Sequence, residues 1–96
     1  MKYGLSEETY NKIKNIVKKY SNYQFYIYGS RARGNYKANS DIDIAIMDFV
    51  EDIEKNKIKN EFDILDIPYT IDLIFIKDIT KKELLESIKK EGIKYE

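Results

Sequence analysis

The sequence predicts an α/β fold, a single domain over residues 1–96 in which a small mixed β-sheet is flanked by α-helices. Three observations predict it. Stretches of helical periodicity alternate with short β-branched and aromatic runs, in the order αβ(α)βαβα. No linker, repeat or low-complexity segment interrupts them. The length of 96 residues allows one domain.

Ser6 is placed to cap a first helix whose opening turn holds Glu7 and Glu8. Ile13, Ile16, Val17 and Tyr20 then recur at the i, i+3, i+4, i+7 spacing of one apolar face, and most of the lysines between them fall on the other side. The run Phe25-Tyr26-Ile27-Tyr28 reads as a short strand that stops at Gly29, with Ser30 near the start of a following short helix. Asp41 to Met47 alternates as a second strand, with Asp41 and Asp43 on one face and Ile42, Ile44 and Ile46 on the other. A helix follows from about Ile53 to Leu65, with Ile58, Phe62 and Leu65 as its apolar face. Pro68 marks a turn before a third strand, Thr70 to Ile76, and Thr80 is expected to cap a last helix bearing Leu84, Leu85 and Ile88.

Composition narrows the chemistry. With no Cys and no His there is no disulfide framework, thiol nucleophile, Cys-based zinc site or imidazole base. Catalysis is left to carboxylates, hydroxyls, lysine, arginine, backbone N–H groups and a hard metal bound through oxygen. A formal net charge of +0 argues against gripping a nucleic-acid backbone by bulk electrostatics. No apolar run approaches the ~20 residues that span a bilayer, and the N-terminus lacks a signal-peptide core; the expectation is a cytoplasmic chain. A domain this small does not wrap a deep pocket alone, so a partner is expected to supply part of the wall.

Two loci carry the chemistry. The first is Gly29-Ser30-Arg31-Ala32-Arg33-Gly34, directly after the first strand. A glycine there lets backbone approach a ligand closely, the N–H groups that open the next helix form an anion site, and Ser30 adds a hydroxyl. Arg31 and Arg33 are the only arginines in the chain, and a guanidinium offers the planar fork that suits phosphate oxygens. An ordinary glycine turn with solvated arginines is the alternative. The second locus is Ser40-Asp41-Ile42-Asp43 together with Asp72. Like charges at i and i+2 of one strand repel unless a cation such as Mg²⁺ sits between them. Asp72 is lodged in the apolar run Ile71 to Ile76, where a lone carboxylate in a buried strand is costly unless paired. Singly, each aspartate also reads as a solvent-facing position; together, downstream of the glycine turn, they point to a site.

The glycine-serine-arginine string, six further residues, Asp41-Ile42-Asp43-Ile44 and a later hydrophobic strand containing Asp72 resemble the nucleotidyltransferases of the DNA polymerase beta superfamily. Within it the chain is most similar to the minimal nucleotidyltransferases, often encoded beside a helical HEPN-type protein. The resemblance covers nearly the whole chain and implies a palm-like domain.

It further implies that Gly29 and Ser30 hold the β and γ phosphates of ATP, that Asp41 and Asp43 serve two Mg²⁺ ions, and that Asp72 completes the catalytic metal site and is the natural base for the acceptor hydroxyl. Arg31 and Arg33 are then candidate phosphate or partner contacts, and Tyr28 and Tyr36 candidates to stack on a nucleobase or simply to pack. The implied activity is transfer of AMP from ATP to a hydroxyl, foremost a tyrosine of a HEPN toxin encoded next door, as the antitoxin of a type VII-like toxin–antitoxin pair. Two other readings stand beside it: a module that neutralises its helical partner by occlusion, and nucleotidylation of a small hydroxylated molecule.

Overall fold

The computed structural model describes residues 2–96. After a 3-10 turn at Lys2–Gly4 come α1 (Glu7–Lys19), β1 (Phe25–Tyr28), the single turn α2 (Ser30–Arg33), β2 (Ile42–Ile46), α3 (Asp52–Asp63), β3 (Ile71–Phe75), a 3-10 turn at Ile76–Asp78, α4 (Lys82–Glu91) and β4 (Ile93–Lys94). The strands form one mixed sheet in the order β3-β2-β1-β4. β1 runs antiparallel to β2 and to β4, whereas β2 and β3 are parallel and joined across α3. The expected α/β sandwich is therefore the architecture observed.

The local signals account for most of these elements. Ser6 caps α1, its Oγ accepting the Thr9 N–H at 3.2 Å. Ile13, Ile16 and Tyr20 are buried as their spacing requires. With Ile58 and Phe62 of α3 they cover one sheet face, built from Phe25, Ile27, Ile42, Ile44, Ile46 and Phe75. Each such apolar side chain contributes roughly 1.5–3 kcal/mol on burial, so this face is the main core.

The opposite face is only partly covered. There α4 packs Ile88 and Leu84 against Ala45, Ile74 and Tyr28. The other end of that face is left to polar side chains.

Several boundaries differ from expectation, β2 and β3 each being one residue shorter at either end. The last helix begins at Lys82, with Lys81 at its N-cap position and no side-chain cap, so Thr80 does not cap it. α3 starts one residue before Ile53 and ends before Leu65, and Ile53 itself is exposed. β4 is an unforeseen edge strand, secured where the Tyr95 N–H donates to the Phe25 carbonyl at 2.8 Å. Tyr95 also stacks on Tyr10, centroids 5.2 Å apart, and donates its hydroxyl to the Tyr10 carbonyl at 3.0 Å. Among the described residues no helix is long and apolar enough to cross a membrane.

Candidate active site

Where the cover of α4 gives out on the second face, three strands present their side chains in one row. Tyr28 of β1 is the antiparallel partner of Asp43 of β2, and Asp43 is the parallel partner of Asp72 of β3. Directly paired residues share a face with Cα atoms about 4.5–5.5 Å apart, so the order across the sheet is Tyr28, Asp43, Asp72. Asp41 stands just before β2, two residues from Asp43, and is exposed.

Immediately beyond Tyr28 the chain turns at Gly29, with φ 73° and ψ −153°. A side chain is strained there, and a Cβ would collide with Oδ2 of Asp43. Glycine is thus required twice, for the backbone angle and for the close approach of the aspartate. Ser30 opens α2, which closes after one turn as the Gly34 N–H donates to the Ser30 carbonyl at 2.9 Å with Gly34 left-handed. The opening N–H groups of such a turn have no intrahelical acceptor. Gly29 and Ser30 are half-buried beside the aspartates.

The electrostatics follow from this crowding. The carboxyl of half-buried Asp43 is raised above the usual carboxylate range, first by burial and then by the charges of Asp72 and Asp41, with Arg33 and Arg31 pulling weakly the other way. The Tyr28 hydroxyl, buried and facing Asp72 and Asp43, is pushed up to about 12. At neutral pH it remains a neutral donor beside two carboxylates.

Asp72 takes the solvent-facing alternative. It is exposed, because β3 is the outer strand of the sheet and α4 covers this face only farther along. The apolar run around it reflects the other face of β3, where Phe75 enters the core.

Arg31 is a correction. It does not extend toward a ligand: it is 2% exposed. Its guanidinium donates from Nη1 to the Tyr3 carbonyl at 2.9 Å and from Nη2 to the Ser40 carbonyl at 2.8 Å. Arg33 is the freer of the two. It pairs with Glu91 at the end of α4 at 3.0 Å, both side chains remaining open to water.

Magnesium fits the donor set without finding a finished cage. Asp43 and Asp72 are hard oxygen donors in adjacent register whose mutual repulsion a cation would relieve. Among the described residues, no three acidic side chains already stand close enough to hold a metal. Asp41 stands exposed at the entrance of β2.

Sequence reasoning did not place Tyr28 in the row with the carboxylates, although alternation puts it on the face of Tyr26 and one residue before the glycine turn. Nor did it find Tyr69, whose ring lies 4.9 Å from the Arg31 guanidinium; no local pattern signals that contact.

The family described as "Polymerase beta, Nucleotidyltransferase" matches residues 11–94. Among solved structures, a toxin–antitoxin complex with AMP-PNP is 24% identical, covering 91% of this chain and 72% of that one, with a TM-score of 0.64. A tri-AMPylated Shewanella oneidensis HEPN toxin in complex with an MNT antitoxin is 20% identical, covering 96% and 72%, with a TM-score of 0.61. A toxin–antitoxin MntA-HepT structure is 21% identical over 95% and 72%, with a TM-score of 0.60. At these identities the likeness speaks to the fold. No curated protein matches the chain.

Proposed function

The chain belongs to the polymerase beta nucleotidyltransferase family, and from that premise we propose that it transfers AMP from ATP to a tyrosine hydroxyl of a HEPN-type helical protein encoded beside it, as the antitoxin of that pair. The observation that carries the reading is the register of Asp43 with Asp72 against the closed turn at Gly29. It sets the backbone turn at Gly29 directly beside the Asp43 carboxylate, with Asp72 next to it in register. That the solved complexes of similar fold include AMP-PNP and a tri-AMPylated HEPN toxin supports ATP as donor and a protein as acceptor.

In this reading residues 1–96 act as one nucleotidyltransferase domain in the cytoplasm. Gly29 and Ser30 receive the β and γ phosphates through backbone N–H groups and the serine hydroxyl. Arg33, already within reach of the Asp43 field, lends positive charge to the same end. Asp41, Asp43 and Asp72 would hold Mg²⁺, which when bound would neutralise charge on the triphosphate and on the attacking oxygen. Asp72, exposed on the outer strand, takes the proton of the incoming hydroxyl as its oxygen bonds the α phosphorus of ATP and the bond to the β phosphate breaks, releasing pyrophosphate. The exposure of Asp41 and Asp72 leaves the site an open face, suited to an acceptor carried on another protein.

The test is incubation of the chain with Mg²⁺, ATP labelled at the α phosphate and the helical neighbour. Label is expected on a tyrosine of the neighbour, and none with Asp41→Asn plus Asp43→Asn. No transfer by the wild type, or persistent transfer by the double variant, overturns the reading. Protection of cells by that inactive variant would instead establish occlusion, and label on a soluble small molecule alone would establish the third activity.

A further inference from the structure

Arg31 is a buried cation that no carboxylate pairs with directly among the described residues. Its donors go to backbone carbonyls: Nη1 to Tyr3 at 2.9 Å, Nη2 to Ser40 at 2.8 Å with a longer contact to Ala38 at 3.5 Å, and Nε to Ser40 at 3.3 Å. Its guanidinium lies between two tyrosine rings, Tyr69 at 4.9 Å and Tyr36 at 5.1 Å to the centroids. Burying a guanidinium is unfavourable unless its donors are met, and here the carbonyls meet them and the ring faces supply attraction in a dry setting.

What the cation joins is specific. Arg31 follows Gly29 and Ser30 directly, and Ser40 precedes Asp41. Tyr69 precedes Thr70, whose carbonyl accepts the Ile42 N–H at 2.9 Å at the head of the β2–β3 pair that carries Asp43 and Asp72. Tyr3, held from below, is the one non-glycine residue with positive φ among those described, at 56°. A strained residue persists where its surroundings over-determine it, and the Arg31 bond to its carbonyl is such a constraint. The Tyr36 ring meanwhile packs so closely over Gly4 that a Cβ there would collide with it.

We infer that Arg31 is the positioning residue of this site: its guanidinium fastens the glycine-serine turn to the segments that lead into Asp41 and Asp72, and so sets the distance between the phosphate-binding and carboxylate halves. The inference rests on the nucleotidyltransferase reading for its catalytic consequence and on geometry alone for its structural one. Lysine keeps the charge but has no planar fork to span the diverging carbonyls of Tyr3 and Ser40.

The test pairs two measurements on Arg31→Lys. The first is hydrogen exchange, with no nucleotide present. Amides of Lys37, Ser40 and Ile42, all bonded in the wild type, are expected to exchange at least about tenfold faster, while those of α1 and α3 keep their rates. The second is kinetics of transfer: kcat per folded molecule is expected to fall by about tenfold or more, with KM for ATP changed less. Unchanged exchange at those amides, a uniform rise across the core, or a wild-type kcat overturns the proposal. If Arg31→Lys does not fold, Tyr36→Leu, which strips one ring from the cation at a 37% exposed position, is held to the same expectations and the same refutations. If the wild type transfers nothing, the functional reading has failed and the exchange result alone decides the clasp.

Discussion

Gly29 and Asp43 share one volume: the aspartate carboxylate fills the place where any side chain on residue 29 would begin. The turn and the carboxylate were therefore shaped by a single steric fact. Gly29→Ala forces a residue with a Cβ into a positive-φ, extended-ψ region that is essentially reserved to glycine, at about 1–3 kcal/mol, and pushes Asp43 aside. Thermal melting is expected to fall by about 5–15 °C. Transfer is expected to drop on the order of 100-fold, because a displacement of about an ångström at the reacting groups has that effect. A variant that melts lower but turns over normally would show that the turn does not set the carboxylate.

Asp43 makes stability depend on pH. Its folded carboxyl titrates above the unfolded one because of burial and the neighbouring charges of Asp72 and Asp41. The folded state therefore holds its proton more tightly, and this contribution is fully present below the ordinary carboxylate range and lost as pH rises through the raised value. In metal-free buffer, Asp43→Asn should melt higher than wild type at neutral pH, and the difference should vanish in acid. Added Mg²⁺ should raise the wild-type melting temperature and leave that of Asp43→Asn unmoved. Melting curves with and without Mg²⁺ at several pH values check both signs.

Arg33 and Glu91 separate a structural pair from a phosphate contact. Both side chains are well exposed, 43% and 33%, so the bridge is worth less than ~1 kcal/mol. Arg33→Ala and Glu91→Ala should each lower the melting temperature by no more than a few degrees. Only Arg33→Ala should raise KM for ATP, by roughly tenfold. Equal KM values for the two variants would remove Arg33 from the binding machinery.

Ser6→Ala is the control that should touch folding alone. Loss of the cap to Thr9 costs about 1 kcal/mol, or about 4–8 °C in a domain of this size. At temperatures where the variant remains folded, its kcat and KM should match the wild type.

What the residues disclosed beforehand follows from how far each signal reaches. Ser6 and the Ile13, Ile16, Tyr20 stripe define α1 because three turns give periodicity room to repeat. Gly29 was legible because a glycine that ends a β-branched run has few other reasons to be there. α2 has one turn, and no period exists in four residues to say where Arg31 points. Its destination is set by Tyr3, Ser40 and Tyr69, all distant in sequence or in a loop. The apolar neighbours of Asp72 leave its exposure open, and β3 being the outer strand decides it. β4 is two residues long and carries no alternation at all; its pairing with β1 is decided by where α4 releases the chain.

The parallel pairing of β2 with β3 has a consequence for how the molecule comes into being. Asp43 and Asp72 meet only after the chain has crossed the sheet through α3, a long closure that slows folding relative to local contacts. A slip of one residue in that pairing would turn Asp72 to the opposite face. A chain in which β3 is unpaired or misregistered therefore does not bring the two carboxylates together. If Asp43 and Asp72 act together as proposed, the onset of transfer during refolding reports the native registry of β2 with β3.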